Sequence, residues 1–115
     1  MKSPFEELLS ALTRQRGVVG CMVVGESDGI IVDANVQVGI QGSTIAALAA
    51  ALYRKARLCS QAAGLGGVTF LQLEAERGHV YAAGRAGLVI VAVAESRTHV
   101  GPVRTAILQS VEALQ

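Results

Sequence analysis

Gly42-Ser43-Thr44-Ile45-Ala46-Ala47-Leu48-Ala49-Ala50-Ala51-Leu52-Tyr53-Arg54-Lys55-Ala56-Arg57-Leu58-Cys59-Ser60-Gln61-Ala62-Ala63-Gly64 is the stretch on which the fold turns. It is rich in alanine and free of proline, with Ser43 placed to cap the first free amides and Gly64 suited to a left-handed C-cap, so it reads as one long helix. About 20 residues at ~1.5 Å each make it roughly 30 Å long, the width of a small domain. On a wheel of about 100° per residue it shows two apolar stripes. Ile45, Leu48, Leu52, Ala56, Cys59 and Ala63 form one; Ala47, Ala51, Leu58 and Ala62 form the other. Tyr53, Arg54, Arg57, Ser60 and Gln61, with Ala46 and Ala50, make a narrow polar back. One stripe suffices for a helix at the edge of a monomer, so the second requires a further partner.

Upstream, Ser3-Pro4-Phe5-Glu6 reads as a helix start, with Ser3 as N-cap, Pro4 at the first helical position and Glu6 closing a capping box. Phe5, Leu8, Leu9 and Leu12 recur at helical spacing until Gly17. Val18 to Val24 is an apolar, β-branched run of the kind covered on both faces of a sheet. Ser27-Asp28-Gly29 turns it into a shorter strand, Ile30 to Asn35.

Downstream, Val68 to Ala75 predicts a third strand, His79 to Gly84 a fourth and Leu88 to Ala94 a fifth, joined by the turns Glu76-Arg77-Gly78 and Arg85-Ala86-Gly87. Val100, Val103, Ile107, Val111 and Leu114 then mark a closing amphipathic helix from about Thr98 to Leu114, with Pro102 in its first turn. The order is α-β-β-α-β-β-β-α, an α+β domain over residues 1–115 with an antiparallel sheet. Strands without alternation need helices on both faces: the long helix on one, the two terminal helices on the other. The third strand, with no proline or lysine to block it, is expected to be an open edge.

A chain of 115 residues builds one core. Its 51% hydrophobic content and mean hydropathy of +0.46 place part of the apolar surface in an interface. Ten basic against nine acidic residues give no footprint for nucleic acid or an anionic membrane, and two Phe, two Tyr and no Trp leave little to stack on bases. The longest apolar run, Ala86 to Ala94, is too short to span a bilayer as a helix. Cys21 and Cys59, both in apolar surroundings, read as buried reduced thiols of a cytoplasmic protein.

No set of residues composes an active site, a metal site or a cofactor site. Gly25-Glu26-Ser27-Asp28-Gly29 has the spacing of a nucleophile elbow but leads into a strand rather than a helix, so it reads as a turn. His79 and His99 have no further ligand at metal spacing, and Glu26, Asp28 and Asp33 lack the spacing of a calcium loop. Gly64-Leu65-Gly66-Gly67 runs from helix to strand, the reverse of a phosphate-binding turn.

Gly17 to Val24, Ser27 to Ile31, the Ala/Leu-rich helix, the strand Leu88 to Val93 and His99-Val100-Gly101-Pro102-Val103-Arg104, in this order, resemble the Roadblock family. That family takes its name from a dynein light chain and includes bacterial gliding-motility regulators. The resemblance implies a five-stranded antiparallel sheet between one long and two shorter helices, and homodimers, or heterodimers with a paralogous Roadblock chain, formed through the long helix and the third strand. It also implies a non-enzymatic domain that regulates a small Ras-like GTPase, or one that scaffolds a motor or membrane-recruitment complex. Combined with the wheel, it gives a dimer interface of Ala47, Ala51, Leu58, Ala62, Phe70, Leu71 and Leu73, and an outward partner-docking set of Tyr53, Arg54, Arg57 and Gln61.

Overall fold

The computed structural model describes residues 3–114. Its elements are α1 (Glu6–Thr13), β1 (Val18–Gly25), β2 (Ile31–Val36), α2 (Gly42–Ala62), β3 (Leu71–Ala75), β4 (Gly78–Arg85), β5 (Leu88–Ala94) and α3 (Val100–Glu112). The five strands form one antiparallel sheet in the order β2-β1-β5-β4-β3. This is the predicted α+β order, with the apolar strands β1 and β5 paired at the centre and β2 and β3 at the two edges.

Two apolar layers cover the sheet. Leu9 and Leu12 of α1 and Val103 and Ile107 of α3 pack with Cys21, Val23, Tyr81, Ile90 and Ala92 on one face. Ala46, Ala49, Ala50 and Tyr53 of α2 pack with Met22, Val24, Ala82, Val89 and Val91 on the other. Successive residues of β1 and β5 thus serve opposite layers, which is why neither strand alternates between apolar and polar.

Turn chemistry holds the register. Ala86 and Gly87 both take positive φ, 57° and 80°, as a two-residue hairpin of primed type requires. Gly29, at φ 70°, follows Asp28, whose Oδ1 accepts the Ile30 amide at 3.0 Å. Gly64, at φ 77°, closes α2 as expected.

The helix starts differ from the sequence reading. α1 begins two residues after Pro4, and the Ser3 hydroxyl accepts the Phe5 amide at 3.1 Å instead of closing a capping box. α2 begins at Gly42 with Gln41 as N-cap and no side-chain cap, so Ser43 is not its cap. β3 is shorter than predicted, because Val68 to Phe70 lie outside the ladder and pack separately against the two layers. Cys21 is buried, hydrogen-bonded to the Leu9 carbonyl and the Thr13 hydroxyl, both at 3.3 Å, and burial pushes its thiol pKa up. Cys59 is exposed on α2, contrary to the expectation of two buried thiols.

Candidate interaction surface

The face of α2 turned to the sheet is the one expected to be its polar back. Ala46, Ala49, Ala50 and Tyr53 are buried, while Leu48 is 45% and Leu58 53% exposed. Small side chains at i, i+3 and i+4, with Tyr53 at i+7, let the helix approach the strands closely, so alanine spacing and not the larger leucines marks the core face. That spacing was present in the sequence. It was hidden by grouping residues by polarity, which placed Ala46 and Ala50 beside the arginines.

Tyr53 is therefore not outward as predicted: it is 4% exposed. Its ring lies over Gly84, where an added Cβ would stand 2.8 Å from Tyr53 Cε2. Its hydroxyl reaches the carbonyls of Gly84 at 3.2 Å and Val68 at 3.3 Å. An amphipathic side chain can be core and still satisfy its polar tip. Burial, partly offset by the hydrogen bond to Gly84, raises its pKa.

Arg54 and Arg57 lean from the same side of α2 onto the β1–β2 turn. Arg54 donates to the Glu26 carbonyl at 2.8 Å, and Arg57 grips the Glu26 carboxylate with two hydrogen bonds, of 2.8 and 3.2 Å. That hydrogen-bonded contact raises the pKa of Arg57 and keeps its charge in place. Both arginines are half-buried clamps within the chain. Gln61 is exposed, as predicted.

These clamps also orient the rest of the helix. The Cβ position of Gly29 lies 3.1 Å from Ala47 Cα, so the Ala47 and Arg54 flank looks toward the β1–β2 turn. Ile45, Leu52, Ala56 and Cys59 occupy the opposite flank by helical periodicity, with Leu48, Ala51 and Ala62 on the crest between and Leu58, eleven residues after Ala47, back toward the turn side. Of the residues expected in a dimer interface, Ala47 and Ala62 are exposed and Ala51 half-buried, but Ala47 sits on the turn side. The stripe expected to build the monomer is instead left half-exposed on the far flank.

The two sheet edges are unlike. β2 carries a bulge opposite Val23 and Val24 of β1, where Val32 is left unpaired. The Gln37 amide bonds the Val19 carbonyl, which makes Ala34 an outward-facing position, and Asp33 Oδ1 takes the Ala34 amide at 2.9 Å. A bulge and an occupied amide are devices that blunt an edge. β3 has neither. Ala75 and Gly78 face across the Glu76-Arg77 turn, so by alternation the backbones of Leu71 and Leu73 bond β4 while those of Gln72 and Glu74 point outward. Leu71 lines the α2 layer, Leu73 is 37% exposed on the same face, and Phe70 packs on the opposite layer, stacked on Tyr81 at 5.9 Å.

Among the described residues no group of His, Cys, Asp and Glu stands close enough together to hold a metal. None of their helices is long and apolar enough to cross a membrane.

An antiparallel five-stranded sheet of this order, one long helix on one face and two short helices on the other, is the frame of a Roadblock domain. The chain belongs to that family: residues 4–94 match the Roadblock/LC7 domain profile. Its fold is similar to the Roadblock/LC7 domain from Streptomyces avermitilis, at a TM-score of 0.84 and 18% identity over 96% of this chain and 94% of that one. MglB of Myxococcus xanthus gives 0.80 and 18% over the same shares, 96% and 94%. MglC of Myxococcus xanthus gives 0.65 and 18%, over 94% and 93%. Comparison with curated proteins finds no match.

Proposed function

We propose that the protein is a dimeric, non-enzymatic adaptor that binds and regulates a small Ras-like GTPase. The observation that carries this reading is a half-exposed flank and crest of α2 on the same face of the sheet as Leu71 of an unblocked β3 edge, set against a β2 edge that is guarded. Pairing β3 with β3 of a second copy satisfies the outward amides of Gln72 and Glu74 and covers Leu71 and Leu73, with Phe70 closing the opposite face. Leu48, Leu52, Ala51 and Ala62 then lie along or above the seam between two α2 helices.

In that dimer the two helices present one shared outer face. Lys55 is exposed on it, with Arg54, Arg57 and the exposed Gln61 at its border and Ile30, 65% exposed, beside the turn the arginines clamp. Arg57 is paired with Glu26 within the chain, so Lys55 and Arg54 are the α2 charges this face has to offer a partner with acidic groups.

Sizing by light scattering tests the dimer, and a monomer at high concentration rejects it. Leu48→Arg, at a half-exposed site, is expected to weaken the dimer while leaving the fold intact. GTP hydrolysis and nucleotide release by a cognate small GTPase, measured with and without the protein, test the regulatory role. Binding with neither rate changed would leave a pure scaffold.

A further inference from the structure

Two opposite charges flank the open edge on the same side of the sheet. Glu74, at one end of β3, is exposed and meets only the Gln72 amide, at 2.7 Å. At the other end, the Arg104 guanidinium of α3 lies 5.4 Å from the centroid of the Phe70 ring. Arg104 is exposed and, among the described residues, forms no ion pair; the pair there is Arg57 with Glu26.

We infer that two copies of this chain pair through β3 on a two-fold axis at Gln72, so that Glu74 of each copy meets Arg104 of the other. The inference rests on the dimer proposed above and fixes its register. A two-fold axis places residue i opposite residue j and j opposite i. Only registers that set outward backbones against outward backbones keep both ladder and faces, which limits the axis to a β3 residue itself, never to a point between two.

Charge and apolar matching then separate the choices. An axis at Glu74 would set two carboxylates directly opposite one another, which is destabilising. An axis at Leu73 would set Leu71 against the small Ala75 and offer Arg104 only Glu76, in the turn beyond the ladder. An axis at Leu71 would set Leu73 against Thr69 and Glu74 against Val68, both outside β3. With the axis at Gln72, Leu71 faces Leu73 twice on the α2 side. On the α3 side each Glu74 faces Phe70 of the second copy, under its Arg104. The cation over an aromatic ring is thereby joined by an anion, and both charges gain a partner twice per dimer.

The experiment is a charge swap on the full chain, read by sedimentation equilibrium. Glu74→Arg and Arg104→Glu should each raise the dimer Kd about tenfold, since two exposed pairs become repulsive. Mixing the two variants should restore a dimer of near-native affinity, because each chain then carries the complement of the other. In a Cys59→Ser background, Gln72→Cys should form a disulfide with itself on mild oxidation, since opposite strand residues lie about 5.5 Å apart. Self-crosslinking of Leu73→Cys or Glu74→Cys without Gln72→Cys, or a mixture no tighter than either variant, overturns the register while the dimer stands. An unmodified protein that is monomeric overturns both.

Discussion

Tyr53 shows how one side chain can join three segments. Its ring fills the space that Gly84 leaves open and its hydroxyl answers two backbone carbonyls, so it ties α2 to β4 and to the run before β3. Tyr53→Phe keeps the ring and is expected to cost about 1 kcal/mol in urea unfolding. Gly84→Ala should cost roughly 1–3 kcal/mol, because the new Cβ meets both the ring and the Leu88 carbonyl, 2.9 Å away. Tyr53→Leu in the same chain should recover part of that loss and not all, since the carbonyl remains. The Tyr53 pKa is raised chiefly by burial, so the folded state favours the neutral phenol. Its contribution is complete below about pH 10 and is lost as pH rises through the elevated value. Unfolding midpoints at pH 8 and above pH 10 should therefore fall further for the unmodified protein than for Tyr53→Phe. Equal falls would show that Tyr53 is not the group responsible.

At the scale of elements, α2 and β3 divide the work differently from the wheel. Polarity placed Arg54 and Arg57 outside, yet both brace the β1–β2 turn, so reversing their charges disturbs the fold as well as any docking face. Glu26→Gln is expected to speed amide exchange at Ser27 to Gly29 without changing exchange in β5. Exchange that rises equally in both would mean that the clamp acts on the whole domain. The edge makes a sharper test. Proline at Leu71 would remove an amide that bonds β4, whereas Gln72→Pro removes one that faces outward. Gln72→Pro is expected to yield a monomer with native circular dichroism. A Gln72→Pro protein that remains dimeric would refute pairing through β3.

The whole molecule is a sheet with one guarded edge and one open edge, and a half-exposed apolar helix on the face that Leu71 and Leu73 of the open edge share. Burying both together links folding to association, so the thermal midpoint should rise with protein concentration. A midpoint unchanged over about a hundredfold range of concentration would argue for a stable monomer. The proposed association would also account for a mean hydropathy of +0.46 in a domain of this size, since a small fold has much surface for its core.

Element order, sheet type and layer assignment were legible in the sequence, because β1 and β5 lack alternation and the turn residues Asp28-Gly29 and Ala86-Gly87 fix where the chain reverses. The open edge at β3 was legible too, from an apolar strand without proline or lysine. Which face of α2 meets the sheet was decided only in three dimensions. Alanine and tyrosine score as indifferent or polar by type, yet close packing sets small alanines over the valines and the flat Tyr53 ring over Gly84, and leaves the larger Leu48 and Leu58 outside. The destinations of Arg54, Arg57 and Arg104 were equally tertiary. A long charged side chain takes whichever carbonyl, carboxylate or ring the fold brings within reach, and periodicity carries no record of that.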